Sequence, residues 1–305
     1  MLLLSSCPAY RKLAAMNAAP SPDVLQPVVM AACPLCHATQ AELLAVHPEL
    51  TWVRCGCGTI YKRSELPDPS ADGFYESGYF GAGEQGRRYT QRTRRRIQKS
   101  RNQILDALNF ISPGPLLDIG CSVGYTLQAA RELGLVPTGS DLSQYAIKTC
   151  REQGFRAEVG ELSKLPFAEG EFALVTMKHV LEHTPDPRSA LREVRRVLRP
   201  GGGVFIAIPH AGYRKAVRDP QKSRYYLPSA HGREHFVYYT PDTLTRLLQE
   251  EGYRVVAVNP QLVHRTASAA RRLGERLVAP LRWVAQRVAD GLGLRKEFWL
   301  VAVRD

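Results

Sequence analysis

The sequence has no apolar run near the roughly 20 residues that a membrane-spanning helix needs, so no span is expected. Its opening Met1 to Cys7 (MLLLSSC) lacks both a basic leader and the stretch of about 7–15 apolar residues found in a secretory signal. Leu4-Ser5-Ser6-Cys7 only loosely resembles a lipoprotein cleavage box. A flexible tail is expected there, with Met16 or Met30 as alternative starts and the cytoplasm as the compartment. There is no internal repeat. Negative charge is the scarcer sign: 29 Asp and Glu stand against 41 Lys and Arg, a net charge of +12. That balance suits an anionic partner, whether nucleic acid, anionic lipid or a charged metabolite, and does not choose among them. Cysteine is sparse as well, with seven in 305 residues. The count is odd and four fall between Cys33 and Cys57, which favours a metal site over a disulfide framework.

What is present divides the chain. Residues 1–29, with Pro20, Pro22 and Pro27, read as a flexible lead-in, and residues 30–64 hold the cysteine module. Residues 65–109 combine a linker marked by Pro67, Pro69 and Gly73 with an arginine-rich stretch and a helical pattern through Ile97, Ile104, Leu105 and Leu108. From 110 to 260 strands and helices alternate. Strands are expected at Leu116–Ile119, Val136–Ser140, Phe155–Val159, Phe172–Met177, Val204–Ile208 and Tyr253–Val258, with a last one at Glu297–Val303. Helices are expected from Gly124, from Gln144 behind a Ser143 cap, over Arg188–Leu198 with Pro200-Gly201-Gly202 as the stop, and from Pro241. The alternation predicts a doubly wound α/β domain on a mostly parallel seven-stranded sheet, with a small zinc-ribbon-like module in front. Residues 261–305 contain an apolar stripe, Leu273, Leu277, Leu281, Val284 and Val288, flanked by arginines. Such a helix packs on the protein's own core or a partner, or lies on a membrane surface as a peripheral contact.

The segment LLDIGCSVGYTL (116–127) is a strand, a glycine-bearing turn and a helix start, where backbone approaches a ligand closely. A dinucleotide site would need G-x-G-x-x-G, and only Gly120 and Gly124 are available. Gly120-Cys121-Ser122-Val123-Gly124 fits the G-x-S-x-G elbow of hydrolases, but no glycine-rich oxyanion motif precedes Ser122. Asp141 follows the next strand, about 20 residues on, where a carboxylate meets ribose hydroxyls in doubly wound folds. Capping of the following helix is the plainer role for Asp141.

The same loop resembles the first motif of class I S-adenosylmethionine-dependent methyltransferases, which reads much like LDIGCGxG. Ser122 stands where that family usually has glycine. GELSKLPF (160–167) resembles the family's GDAxxLPF, and FALVTMKHVLEHTPDP (172–187) and LREVRRVLRPGGGVFIAIP (191–209) are similar to its next two segments. The resemblance covers about residues 115–260. It implies S-adenosylmethionine as cofactor, with Asp118 beneath it and Gly120, Cys121 and Gly124 in the loop that backs its methionine end. It also implies Glu161 and Leu162 beside the adenine, and Asp141, Leu142 and Lys178, the last at the end of the fourth strand, as further cofactor contacts.

Cys33-Pro-Leu-Cys36 and Cys55-Gly-Cys57 are two thiolate pairs with eighteen residues between them, a spacing that suits a closed, structural Zn2+ site. His37 and His47 are possible substitutes. A module this small holds little core without a metal.

Methyl transfer needs an acceptor nucleophile, often deprotonated, and the candidate bases are His179, His183, His210 and His235. His183 follows Glu182 just past the fourth strand. GREHFVYYTP (232–241), with Glu234 beside His235, resembles the E-H-x-x-Y-(F/Y)-(S/T) segment of zinc-containing methyltransferases, some of which methylate carbon on nucleotide-linked sugars. In those the matching Glu and His are acid–base groups, and a histidine titrating near neutrality suits that work. Those sugar enzymes carry a further C-terminal domain that this chain has no room for. The expectation is a small-molecule methyltransferase with a sugar, glycan or other anionic acceptor. The alternative is a zinc-containing RNA methyltransferase, whose ribosomal branch CPLCH also resembles. A catalytically dead RNA-binding protein is a third reading, and the intact Asp118, Gly120, Gly124 and Asp141 speak against it.

Overall fold

The computed structural model describes residues 30–63, 93–228, 231–259, 284, 288–289 and 292–305. The expected lead-in 1–29, the linker with the first arginines, and Leu273, Leu277 and Leu281 lie outside the described residues. Val284 and Val288, at the end of the apolar stripe, are exposed. No helix among the described residues is long and apolar enough to cross a membrane.

Eleven strands are described. β1 (Ala41–His47), β2 (Leu50–Cys55) and β3 (Ile60–Lys62) lie in the cysteine region. β4 (Leu116–Ile119), β5 (Pro137–Asp141), β6 (Arg156–Val159), β7 (Phe172–Lys178), β8 (Leu198–Pro209), β9 (Val237–Tyr238), β10 (Tyr253–Val258) and β11 (Glu297–Arg304) follow. The main helices are α1 (Thr93–Ala107), α2 (Tyr125–Glu132), α3 (Gln144–Glu152), α4 (Pro187–Val197), the single turn α5 (His231–Glu234) and α6 (Pro241–Glu250).

Seven strands form one sheet in the order β10-β11-β8-β7-β4-β5-β6. The pairs β4–β5, β4–β7, β5–β6 and β7–β8 are parallel, while β11 runs antiparallel to both β8 and β10. The mostly parallel doubly wound sheet expected from the sequence is therefore present. Every residue from Phe172 to Met177 is buried, because helices cover both faces of the central strands. The helices start where short polar side chains can cap them: Ser143 accepts from the amide of Ala146 and Asp186 from that of Ser189.

One expected boundary moves. β8 begins at Leu198, inside what the sequence suggested was helix, and Pro200–Gly202 does not end an element. Phe172 pairs with Leu198 and Leu174 with Gly203, so the Pro-Gly-Gly stretch bulges out of a strand that continues on either side. Gly201 takes φ +70° there, a left-handed conformation that glycine adopts without strain.

The cysteine region forms a second sheet, β1-β2-β3-β9, whose last strand comes from the far side of the large domain's sequence. Ile60 pairs with Tyr238 and Tyr61 with Val237. Lys62 extends this seam: its amide donates to Phe236 O at 2.9 Å, and its buried ammonium donates to Arg233 O at 3.1 Å while lying 3.9 Å from the Phe236 ring centroid. Trp52 packs on Tyr226 and Tyr238 in the same small core. The module is thus completed by the segment that follows His235.

Candidate active site

β5 and β6 lie to one side of β4, and β7 and β8 to the other. The carboxyl ends of β4 and β7 therefore flank the topological switch point, where open α/β sheets form their crevice. Three segments meet there: the loop after β4, Asp141 at the end of β5, and His179 to His183 after β7.

The loop after β4 alternates in hand. Gly120, Ser122 and Gly124 take φ of +69°, +52° and +88°. Glycine accepts this conformation freely and serine does not, which is the physical reason a glycine is usual at the position of Ser122. A side chain at Gly120 would meet Val180 Cγ2 at 2.5 Å, so the loops after β4 and β7 touch through this glycine. The Ser122 amide donates to Asp141 Oδ2 at 2.8 Å, and the Ser143 amide to Asp141 Oδ1 at 3.0 Å. Asp141 thus ties the loop to the start of α3, while the helix cap is Ser143. Burial raises the Asp141 carboxyl against the pull of those amides.

Asp118 is buried beneath the loop and accepts from Thr176 Oγ1 at 2.5 Å. Lys178 donates to Ser100 Oγ at 2.8 Å and to Thr126 Oγ1. Burial raises the acid and lowers the amine, and each partly offsets the other's desolvation. The sequence reading put Lys178 in the cofactor site, and the structure engages its ammonium with α1 and α2 behind the loop. The Cys121 side chain also points away from the crevice, into a small core with Leu127, Ile147 and Cys150. Only its main chain borders the loop. Leu142 is exposed, Leu162 is half-buried against the main core, and Glu161 is exposed, with Ser163 Oγ donating to its carboxylate at 3.3 Å.

Beyond β7 a cluster of histidines and acids gathers. His179 donates from Nδ1 to Glu182 at 3.2 Å and from Nε2 to Glu297 at 3.1 Å. Burial opposes its charge, but these two bonds outweigh it and hold His179 up at about 9. The bond from His179 in turn holds Glu297 down at about 2. The amide of Phe236 donates to Glu182 O at 2.7 Å, bringing the segment after α5 against the loop after β7. As a result His183 and His235 lie edge to face, with ring centroids 4.6 Å apart. Burial lowers both, His235 well below the ordinary histidine value, so His235 does not titrate near neutrality as the sequence suggested. Burial raises Glu234. His210, the remaining candidate base, accepts the Gly212 amide at its Nδ1 and lies against Phe298. Tyr238 is the first tyrosine of the E-H-x-x-Y segment, but the sequence gave it no role, and it gave no sign of Tyr225. Tyr238 Oη lies 2.8 Å from His235 Nδ1 and donates to Tyr225 O at 2.6 Å.

The four module cysteines also converge. Their sulfurs all lie within 4.8 Å of one another, with Cys33 to Cys57 at 3.7 Å and Cys36 to Cys55 at 3.3 Å. A tetrahedral ion with Zn–S of about 2.3 Å requires sulfurs about 3.8 Å apart, so the group fits Zn2+. Burial pushes the Cys57 thiol up, but hydrogen bonds from Thr59, Cys55 and Cys36 together outweigh it and hold that thiol down at about 6.

A family described as methyltransferase domain matches residues 89–258. Ubiquinone biosynthesis O-methyltransferase of Methylococcus capsulatus is 32% identical over 118 residues, covering 36% of this chain and 50% of that protein. The protein of the same name from Bordetella avium is 30% identical over 161 residues, covering 48% of this chain and 66% of that one. The chain thus spans about half to two thirds of the length of these curated relatives. Among solved structures, an S-adenosylmethionine dependent methyltransferase from Mesorhizobium loti is similar at a TM-score of 0.46 and 18% identity, over 67% of this chain and 98% of that one. The fold described above rests on its strand order and not on this likeness.

Proposed function

The chain belongs to the methyltransferase domain family, and from that premise we propose that it transfers a methyl group from S-adenosylmethionine to an oxygen of a small-molecule acceptor. The observation that carries this reading is the loop at the switch point: three left-handed residues, Gly120, Ser122 and Gly124, braced by the carboxylate of Asp141. The methionine end of the cofactor lies against Gly120 and Gly124, its ribose on Asp141 and its adenine between Leu142, Glu161 and Leu162. Oxygen as the accepting atom draws on the names of the relatives. A sugar or glycan acceptor draws on the likeness of the Glu234-His235 segment to sugar-methylating enzymes. The RNA reading has the net charge on its side and nothing at the site.

The acceptor enters above the loop, beside His183, Glu234 and His235. His235 is the base in this reading: burial keeps its ring neutral, and Tyr238 fixes its orientation. Zn2+ on Cys33, Cys36, Cys55 and Cys57 is structural and holds β3 in place to pair with Val237–Tyr238.

The test is binding followed by transfer. Calorimetry should detect S-adenosylmethionine on the purified full chain. Labelled methyl should then pass to a low-molecular-weight metabolite fraction or to sugar nucleotides, and not to RNA. With the true acceptor, His235→Gln should slow turnover by about 10²–10⁴-fold while cofactor affinity holds, with His183→Gln as the comparison. A folded chain that binds no cofactor overturns the whole reading, and label found in RNA overturns the acceptor class.

A further inference from the structure

The loop after β4 has a serine where the backbone is left-handed, and both peptide groups of that serine are fastened. Ser122 takes φ +52°, which a residue with a Cβ adopts against a steric penalty. Its amide donates to Asp141 Oδ2 at 2.8 Å. Its carbonyl accepts from the thiol of Cys150, whose Sγ lies 3.2 Å away. Cys150 is fully buried on α3, beside the thiol of Cys121 at 3.9 Å. The next carbonyl is held from the same end of α3, where Gln153 Nε2 donates to Val123 O at 3.1 Å. The helix packs directly on the loop here, since a side chain at Gly124 would come within 3.3 Å of Cys150 Sγ.

A trans peptide turns its C=O and its N–H in opposite directions. Holding Ser122 O toward α3 therefore holds the Val123 amide away from it. That amide has no hydrogen-bond partner among the described residues, whereas the Gly124 amide is spent on Cys121 O at 3.0 Å. A loop amide with no internal partner is a donor for an anion.

We propose that Cys150 is a positioning residue for the cofactor loop: its thiol holds Ser122 left-handed and so presents the Val123 amide to the carboxylate at the methionine end of S-adenosylmethionine. This rests on the methyl-transfer reading, which puts that end of the cofactor against Gly120 and Gly124. A thiol is a weak donor, but this one is shielded from water. Without it, Ser122 O keeps only the long contact from Cys121 Sγ at 3.8 Å. The role belongs to a chain with serine at this position. Glycine adopts the left-handed conformation freely and needs no brace.

Two ligands that differ at the methionine end provide the test. S-adenosylhomocysteine carries the amino-acid carboxylate, and 5′-methylthioadenosine is an adenosine thioether without it. Calorimetry on the full, reduced chain should show Cys150→Ala weakening S-adenosylhomocysteine by about 3–10-fold, the loss of one hydrogen bond, and leaving 5′-methylthioadenosine unchanged. Cys150→Ser, which restores a donor, should recover most of that loss. In a Ser122→Gly background Cys150→Ala should weaken neither ligand, because the two residues act through one contact. Its cost in melting temperature should persist there. A chain that binds neither ligand overturns the cofactor reading and this proposal with it. Where the unaltered chain binds both, equal weakening of the two by Cys150→Ala, or no weakening, overturns the proposal alone. So does an undiminished loss for S-adenosylhomocysteine in the Ser122→Gly background, and that comparison decides by itself if 5′-methylthioadenosine binds too weakly to measure.

Discussion

The amide of Ser122 donates to the carboxylate of Asp141 at 2.8 Å, so the glycine-bearing loop and the acid after β5 form one unit. Any change to Asp141 acts on both. Asp141→Ala should cost about 1.5–3 kcal/mol of cofactor binding, the range for hydrogen bonds to a charged group, and should also lower the melting temperature. Calorimetry on the folded variant decides it. Unchanged affinity would remove Asp141 from the cofactor site and leave it as a brace.

Gly120→Ala meets two obstacles. Its φ of +69° is unfavourable for alanine by about 1–2 kcal/mol. The new methyl would also lie 2.5 Å from Val180 Cγ2, and such crowding costs about a further 1–3 kcal/mol. Adding Val180→Ala should recover the second part and not the first. Urea unfolding of the two single variants and the double variant separates them, and full recovery in the double variant would show that the backbone is not strained.

Removing the Zn2+ proposed on the four cysteines should be felt far from them. Chelation or Cys57→Ser should release β3, and with it the amides of Phe236 to Tyr239. Hydrogen exchange in that segment should accelerate while β4, β5 and β7 stay protected. Uniform acceleration across both sheets would instead mean global unfolding, and no change would mean that the metal does not hold the seam.

Glu193 gives a pH test beside the 160–167 segment. Its carboxylate accepts the Leu165 amide at 2.8 Å and pairs with Arg196 at 2.7 Å. The Arg196 bond is the main reason its carboxyl lies below the ordinary value of 4.5. A carboxyl lowered on folding stabilises the protein above its unfolded value and loses that contribution as pH falls through its folded one. Glu193→Gln should therefore cost about 1.5–3 kcal/mol at neutral pH. The gap to the unaltered protein should narrow only below pH 4.5. A gap independent of pH would show that the charge is not what matters.

The sequence made the large domain legible because its signals are local. Strand and helix periods, the Ser143 and Asp186 caps, and the turn after β4 each depend on a few neighbouring residues. Pro200-Gly201-Gly202 misled for the same reason. Those residues usually end an element, and only the pairing of β8 with β7 carries the strand past them. The serine in the loop was visible as a departure, but its meaning needed the backbone angle. The seam between β3 and β9 could not be read at all, since two residues paired across such a sequence distance leave no periodic trace. The contacts that Glu182, Tyr225 and Tyr238 make were missed for that reason too. Each acquires its role from a partner brought in by the fold.

That seam has a consequence for how the chain can be cut. Residues 93–305 look like an independent catalytic unit, and trimming the cysteine region would be a natural choice for expression. Without β3, the backbone of Phe236 to Tyr238 becomes an unpaired sheet edge, and the rings of Tyr226 and Tyr238 lose Trp52 as their cover. An open edge beside bared aromatic surface recruits other chains. The trimmed protein should self-associate, and its failure would come from stickiness at the opened edge and not from a missing catalytic group.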